Sequence, residues 1–391
     1  MSIKLGTLDS TQSTVLATTE SRVEYSSGHV FYVSQQTLMA RPFSPDRLAF
    51  TGDPFPVTDR IQLQNLGLVD FSTSLVGDLA YSSESAEQRR RLAWFDRSGR
   101  ELAAVGQPGR YTDLALSPDG SRVAVGIGGP AGRTSGLDSI WVMDLKRGAA
   151  SRLTFGEDDR LWPVWSPDGS RVAFGGATKD GLPNRIIQKL ASGAGDEQTI
   201  TEDKAAILAP QDWSADGKQL LLFWATPDTG NFDLLTVAAD GRSPAAAYLR
   251  TPKPILESGG QFSPDGRWVA YASNESGRYE AYVQAYPPAG GKWQISTAGG
   301  SVPMWRGDGK EIVYQGAGDT LYAASVTVAG AGLEVGLPAK LFQQRLAHGP
   351  RERNRWVMTR DGQRFLLNTP VDDSGSRSIQ VVLNWAAGLK R

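Results

Sequence analysis

Ser117-Pro-Asp-Gly120, followed at once by Arg122-Val-Ala-Val125, is the stretch that decides the fold. Ser accepts a local hydrogen bond at the first position of a turn. Pro presets φ at the second, Asp tolerates the third and Gly suits the fourth. The tetrapeptide therefore reads as a tight turn between two antiparallel strands. It recurs as Ser166-Pro-Asp-Gly169, Ser214-Ala-Asp-Gly217 and Ser263-Pro-Asp-Gly266, with weaker copies at Arg306-Gly-Asp-Gly309 and Thr359-Arg-Asp-Gly362. Successive turn glycines lie 49, 48, 49, 43 and 53 residues apart.

Working outward, each turn is preceded by a short apolar or aromatic segment, such as Leu161-Trp-Pro-Val-Trp165 or Gln211-Asp-Trp213. Each is followed by a β-branched or aromatic run: Arg171-Val-Ala-Phe174, Gln219-Leu-Leu-Leu-Phe223, Trp268-Val-Ala-Tyr271, Glu311-Ile-Val-Tyr314, Arg364-Phe-Leu-Leu367. Such runs bounded by turn formers are strands. A third strand follows, as in Ser139-Ile-Trp-Val-Met-Asp144 and Glu280-Ala-Tyr-Val-Gln284. A fourth closes the unit, as in Ser151-Arg-Leu-Thr154 and Lys292-Trp-Gln-Ile295. Two degenerate copies come earlier, around Gly28 (Val30-Phe-Tyr-Val33) and Gly77 (Asp78-Leu-Ala-Tyr81, then Arg91-Leu-Ala-Trp-Phe95).

Four strands repeating every 40 to 50 residues, with no 3.6-residue apolar periodicity between them, predict an all-β fold. One such sheet cannot bury both faces alone, whereas a ring of sheets does so and leaves only short edges. The expected architecture is a single closed β-propeller domain over 1–391 with four-stranded blades. Eight blades is the direct count and seven the alternative. The repeats fall near 21–60, 61–106, 107–156, 157–203, 204–251, 252–298, 299–346 and 347–391 plus 1–20. The N-terminal strands Ser2-Ile-Lys-Leu5 and Ser13-Thr-Val-Leu16 are expected to complete the last blade.

Composition narrows the function. Lys and Arg number 41 against 42 Asp and Glu, a net charge of -1, so no field exists to draw in nucleic acid or an anionic membrane. There is no cysteine, which removes disulfides, thiolate nucleophiles and Cys-based zinc sites. No run of 18 apolar residues and no N-terminal apolar segment occurs, so membrane insertion and an export signal are not expected of the chain as written. Two local charge runs, Arg89-Arg90-Arg91 and the four arginines with His348 between Arg345 and Arg355, read first as solvated loop charge. An anion or partner contact is the sharper alternative.

The Ser-Pro-Asp-Gly turns with a preceding Trp resemble the repeats of TolB-like propellers along nearly the whole chain. Thr37-Leu-Met-Ala-Arg-Pro-Phe43, Leu92-Ala-Trp-Phe-Asp-Arg-Ser-Gly99, Gly291-Lys-Trp-Gln-Ile-Ser-Thr297 and Val382-Leu-Asn-Trp-Ala-Ala-Gly388 are similar to a narrower bacterial group, common in acidobacteria. In that group the propeller is the C-terminal region of a membrane serine/threonine kinase. The resemblance implies a periplasmic or extracellular sensing or protein-binding role. This chain as written shows no kinase domain or membrane helix and starts in what looks like mid-blade, which is expected either of a fragment of a longer parent or of a naturally short relative.

Catalytic signatures are few. No Gly-x-Ser-x-Gly elbow and no Walker-type phosphate loop occurs. The two histidines are His29, in a strand-like run, and His348, in a loop, and any Ser-His-Asp triad would need one of them. The carboxylates are more informative. The first strand of each blade lines the channel, and Glu24, Asp70, Asp113, Asp158, Asp159 and Asp212 lie in or just before such strands. Asp212, Gln261 and Met304 each sit two residues before a turn and Asp70 four, so alternation places them on one side of their strands. Carboxylates converging on a channel could hold Ca²⁺ or another divalent cation, although no cofactor is evident; the plainer expectation is a polar channel whose acids accept backbone N–H groups. The turn aspartates read as turn formers, and Trp165, Trp213 and Trp305 as packing between blades. Trp162 is offset from them toward the channel entrance.

The candidate site is therefore Asp70, Asp113, Trp162, Asp212, Gln261 and Met304. The leading expectation is a non-catalytic module that binds a protein or peptide, or else a small molecule, through its channel-face loops. The alternative is a metal-assisted hydrolase of esters, lactones or phosphotriesters with Asp70, Asp113 and Asp212 as ligands.

Overall fold

The computed structural model describes all residues except 1, 7–12, 20, 35–36, 59–60, 62–70, 75–76, 83–89, 129–137, 157, 178–181, 227–229, 253–254, 331, 348–352, 372–378 and 386–391. Nearly every regular element among them is an antiparallel strand. The chain divides into two compact units, one of residues 89–348 and 352–371 and one of residues 1–88, 349–351 and 372–391.

The first unit holds the clear repeats. Its first blade comprises Tyr111–Leu116, Arg122–Ile127, Ser139–Asp144 and Ala150–Arg152. The second comprises Arg160–Trp165, Arg171–Gly176, Arg185–Leu190 and Gln198–Glu202, and the third Ile207–Trp213, Gln219–Thr226, Asn231–Ala238 and Ala246–Leu249. The fourth comprises Glu257–Phe262, Trp268–Ser273, Glu280–Ala285 and Lys292–Gln294. The fifth is built from Ser301–Trp305, Glu311–Gly316 and Thr320–Ala329, with Gly332–Val335 and Ala339–Gln343 both pairing the last of these.

The Ser-Pro-Asp-Gly turns fold as their chemistry dictates. In the first blade Gly120 N–H donates to the Ser117 carbonyl at 2.8 Å, and Arg122 N–H donates to Ser117 Oγ at 2.9 Å. Ser117 Oγ in turn donates to Asp119 Oδ1 at 2.6 Å, a bond that holds the Asp119 carboxyl down at about 2. The turn closes only with φ near +70° at its last residue, which is why Gly stands there.

The ring closes differently from the sequence expectation. Strands Trp356–Met358 and Arg364–Pro370 are joined by Arg90–Asp96 and Glu101–Gly109, with Arg90 opposite Pro370 and Asp96 opposite Arg364. The sixth, closing blade thus takes its outer strands from the start of the unit. The N-terminal strands Ser2–Gly6 and Ser13–Thr18 pair with each other instead. Six apolar clusters fill the six interfaces. Ala124 and Ile140 meet Trp165 and Phe174; Val164 and Ile186 meet Leu208 and Leu222; Leu221 and Leu234 meet Phe262 and Val269. Ala270 and Val283 meet Trp305 and Ile312; Val313 and Phe342 meet Trp356 and Phe365; Leu92 and Leu366 meet Leu114 and Val123. The ring is therefore six-bladed, not eight-bladed. Turn spacing reports the repeat length, whereas closure depends on which edge strand finds a partner.

The other unit carries the first degenerate repeat and the early part of the second as separate sheets, while Arg91–Phe95 of the second belongs to the closing blade. One contains Glu24–Ser26, His29–Ser34, Thr37–Ser44, Ala49–Phe50 and Phe55–Thr58, the other Phe71–Thr73, Leu79–Ser82 and Ile379–Val382. They enclose a core of Phe31, Val33, Leu38, Phe71, Leu79 and Trp385.

Candidate binding site at the channel

The innermost strand of several blades is not regular. Pairing slips between Leu161 and Val164, between Ser258 and Gln261 and between Ser301 and Met304, the mark of a β-bulge. The bulge residues adopt left-handed backbone: Gly259 at φ +64°, but also Trp162 at +60° and Val302 at +48°. For a non-glycine residue this costs about 1–2 kcal/mol.

The predicted polar residues divide between two tasks. Asp212 Oδ2 accepts the Phe262 N–H of the next blade at 2.8 Å, and Gln261 Oε1 accepts the Trp305 N–H of the blade after at 2.6 Å. These side chains occupy equivalent positions and fasten neighbouring inner strands together. Burial pushes the Asp212 carboxyl up to about 7. Met304 is partly buried and packs against the apolar clusters on either side of the closing blade. It reads as packing rather than as a contact group.

Asp113 belongs to the ring seam. It is 2% exposed. Its Oδ1 accepts the N–H groups of Arg353 at 2.6 Å and Asn354 at 3.0 Å, while Leu114 N–H donates to the Asn354 carbonyl at 3.0 Å. Its Oδ2 is buried without a hydrogen-bond partner among the described residues. Burial pushes this carboxyl up to about 6, against the pull of the two N–H donors.

The backbone pinned by Asp113 launches a side chain that the sequence reading took for solvated loop charge. Arg353 Nη1 donates to the Pro210 carbonyl of the third blade at 2.9 Å. Its guanidinium carbon lies 5.7 Å from the centre of the Trp162 ring in the second blade, within reach of a cation–π contact. In a six-membered ring the third blade stands opposite the closing blade, so Arg353 spans the channel. Arg90, from the other charge run, donates to the Tyr111 carbonyl at 2.6 Å. Burial and the neighbouring Arg110 guanidinium hold Arg90 down at about 10; burial does the same for Arg353 and also lowers Arg355. Arg110 Nη1 is buried with no acceptor among the described residues. The first and closing blades thus gather Arg90, Arg110, Arg353 and Arg355 near Asp113, with Asp138 also acting on Arg90 and Asp113, and Asp319 on Arg355. The available signal was position: both arginine runs adjoin strands of the closing blade.

The remaining acids are engaged elsewhere. Asp159 Oδ1 accepts the Asp138 N–H at 3.0 Å, and Asp158 pairs with Arg185 at 3.0 Å. Glu24 Oε2 accepts the Thr73 N–H at 2.7 Å, in the other unit. His29, in that same unit, has its ring 5.0 Å from the Trp385 ring, and its Nδ1 lies 2.8 Å from the Ser27 carbonyl. Asp70 and His348 fall outside the described residues. Among the described residues no three His, Asp or Glu side chains gather closely enough to hold a metal ion, and no helix is long and apolar enough to cross a membrane.

No family model matches the chain. A curated relative, the uncharacterized peptidase YuxL of Bacillus subtilis, is 25% identical over 195 residues, which is 42% of this chain and 29% of that protein. The chain therefore matches less than a third of that relative's length. Among solved structures, the putative TolB of Agrobacterium tumefaciens superposes with a TM-score of 0.54 at 17% identity, over 73% of this chain and all of that one. TolB of Acinetobacter baumannii gives 0.46 at 15% identity, over 75% and 80%. The fold is that of a TolB-like β-propeller.

Proposed function

We propose that the six-bladed unit is a non-catalytic binding module whose channel end takes an acidic, carboxylate-bearing segment of a protein or peptide. One observation carries the reading. Trp162 is kept in a strained left-handed conformation beside Arg353, the cation that spans the channel. Strain of this kind persists where the surroundings over-determine it and clusters at binding sites. The four arginines supply planar donors suited to carboxylates, and Arg110 Nη1 lacks an acceptor among the described residues. A flat indole beside them suits the body of a peptide. A peptide ligand also fits the name of the curated relative, a peptidase.

The test is to pan a displayed random-peptide library against the purified chain. Enriched peptides should be rich in Asp and Glu. Their affinity should fall about tenfold or more in Trp162→Gly, which keeps the backbone conformation, and in Arg110→Gln, the loss expected for a charged hydrogen bond. Peptides with no acidic bias, or binding that ignores both substitutions, would remove the channel as the site.

A further inference from the structure

A second cavity, of about 300 Å³, opens away from the channel, between the outer strand of the third blade and the face of the fourth. Its inner wall is Glu257, which is 2% exposed. Thr251 Oγ1 donates to Glu257 Oε1, but Oε2 is buried and has no donor among the described residues. Among the described residues no lining group donates to it. The Tyr271 hydroxyl donates to Gln284 Oε1 at 3.3 Å, and Lys292 Nζ is paired with Glu275. Burial raises the Glu257 carboxyl, and Asp233 and Glu275 raise it further. Asp233, itself 1% exposed, is paired with Arg250 at 3.4 Å.

An occupant must therefore bring a hydrogen-bond donor, and a positive one gains most. It would let Glu257 ionise, and it would lie beside Tyr271, whose ring centre is 6.0 Å from that of Tyr282 in the adjoining groove. The chain already demonstrates the preference. The Lys292 ammonium sits 5.3 Å from the Tyr282 ring centre and against Glu275, where this cavity meets a more open groove. We propose that the cavity binds a small ligand carrying a primary ammonium group. Glu257 is its counter-ion, Tyr271 is one of its walls, and Lys292 partly occupies its mouth.

The experiment is calorimetric titration of the full chain with n-butylammonium and with butanol, the uncharged analogue. Saturable binding of the amine alone is expected. It should weaken at least tenfold in Glu257→Gln, which keeps an acceptor for Thr251, and strengthen in Lys292→Met, which vacates the mouth. Thermal melts of both variants check that they are folded. Equal binding of amine and alcohol would overturn the proposal. So would no amine binding by either the wild-type chain or Lys292→Met, or undiminished binding by Glu257→Gln.

Discussion

Asp212 shows how one residue serves the fold at a cost. Its carboxylate fastens the third blade to the fourth through the Phe262 N–H. The same burial that makes the bond useful raises the carboxyl from 3.8 to about 7. Between about pH 4 and pH 7 the folded chain therefore holds a proton that the unfolded chain releases. Stability falls as pH rises through that window and then levels. Asp113, raised to about 6, adds to the fall in the lower part of the window. Asp212→Asn keeps an oxygen for Phe262 and removes the charge. After allowance for solvent screening it is expected to stabilise the chain by about 1–2 kcal/mol at pH 8, roughly 2–8 °C in melting temperature, and to change little at pH 4. Melting curves at the two pH values check this. A destabilisation at pH 8 would mean that Asp212 is ionised and favourably held. The chance of a polar residue at this spacing was readable in the sequence. That such an acid accepts a backbone N–H was readable too, but which one was not, because the Phe262 N–H belongs to the next blade, 50 residues on.

At the scale of the element, the closing blade matters most. The strand Arg90–Asp96 packs Leu92, Ala93, Trp94 and Phe95 as buried residues, while Arg364–Pro370 beside it is equally apolar. Arg97, just beyond that strand, reaches both carboxylate oxygens of Glu311 in the fifth blade at 2.9 Å and the Gly362 carbonyl at 2.9 Å. Strands far apart in the chain thereby lock the ring. Leu92→Ala should cost about 2–5 kcal/mol, as for other fully buried leucines. Leu102→Ala, in the neighbouring outer strand and 44% exposed, should cost well under about 1 kcal/mol. Urea midpoints at unchanged slope give both values. A Leu92→Ala cost as small as that of Leu102→Ala would show that this strand does not hold the ring shut.

At the scale of the molecule, all six interfaces of the ring are drawn from residues between Leu92 and Leu367. A chain of residues 89–371 is therefore expected to fold by itself, with a strand-type circular dichroism spectrum and one cooperative thermal transition. A broad, non-cooperative melt would show that the ring needs the remainder of the chain. The sequence alone determined the all-β class, the repeat, the turns and the packing tryptophans, because each follows from contacts between residues close in the chain. Ser117, Asp119 and Gly120 make their turn wherever the blade lies. The tertiary structure alone decided the six-bladed ring, the partner of each inner-strand acceptor and the passage of Arg353 to Pro210 and Trp162. Those contacts join residues tens to hundreds of positions apart, and a local pattern carries no record of which distant edge will close on which.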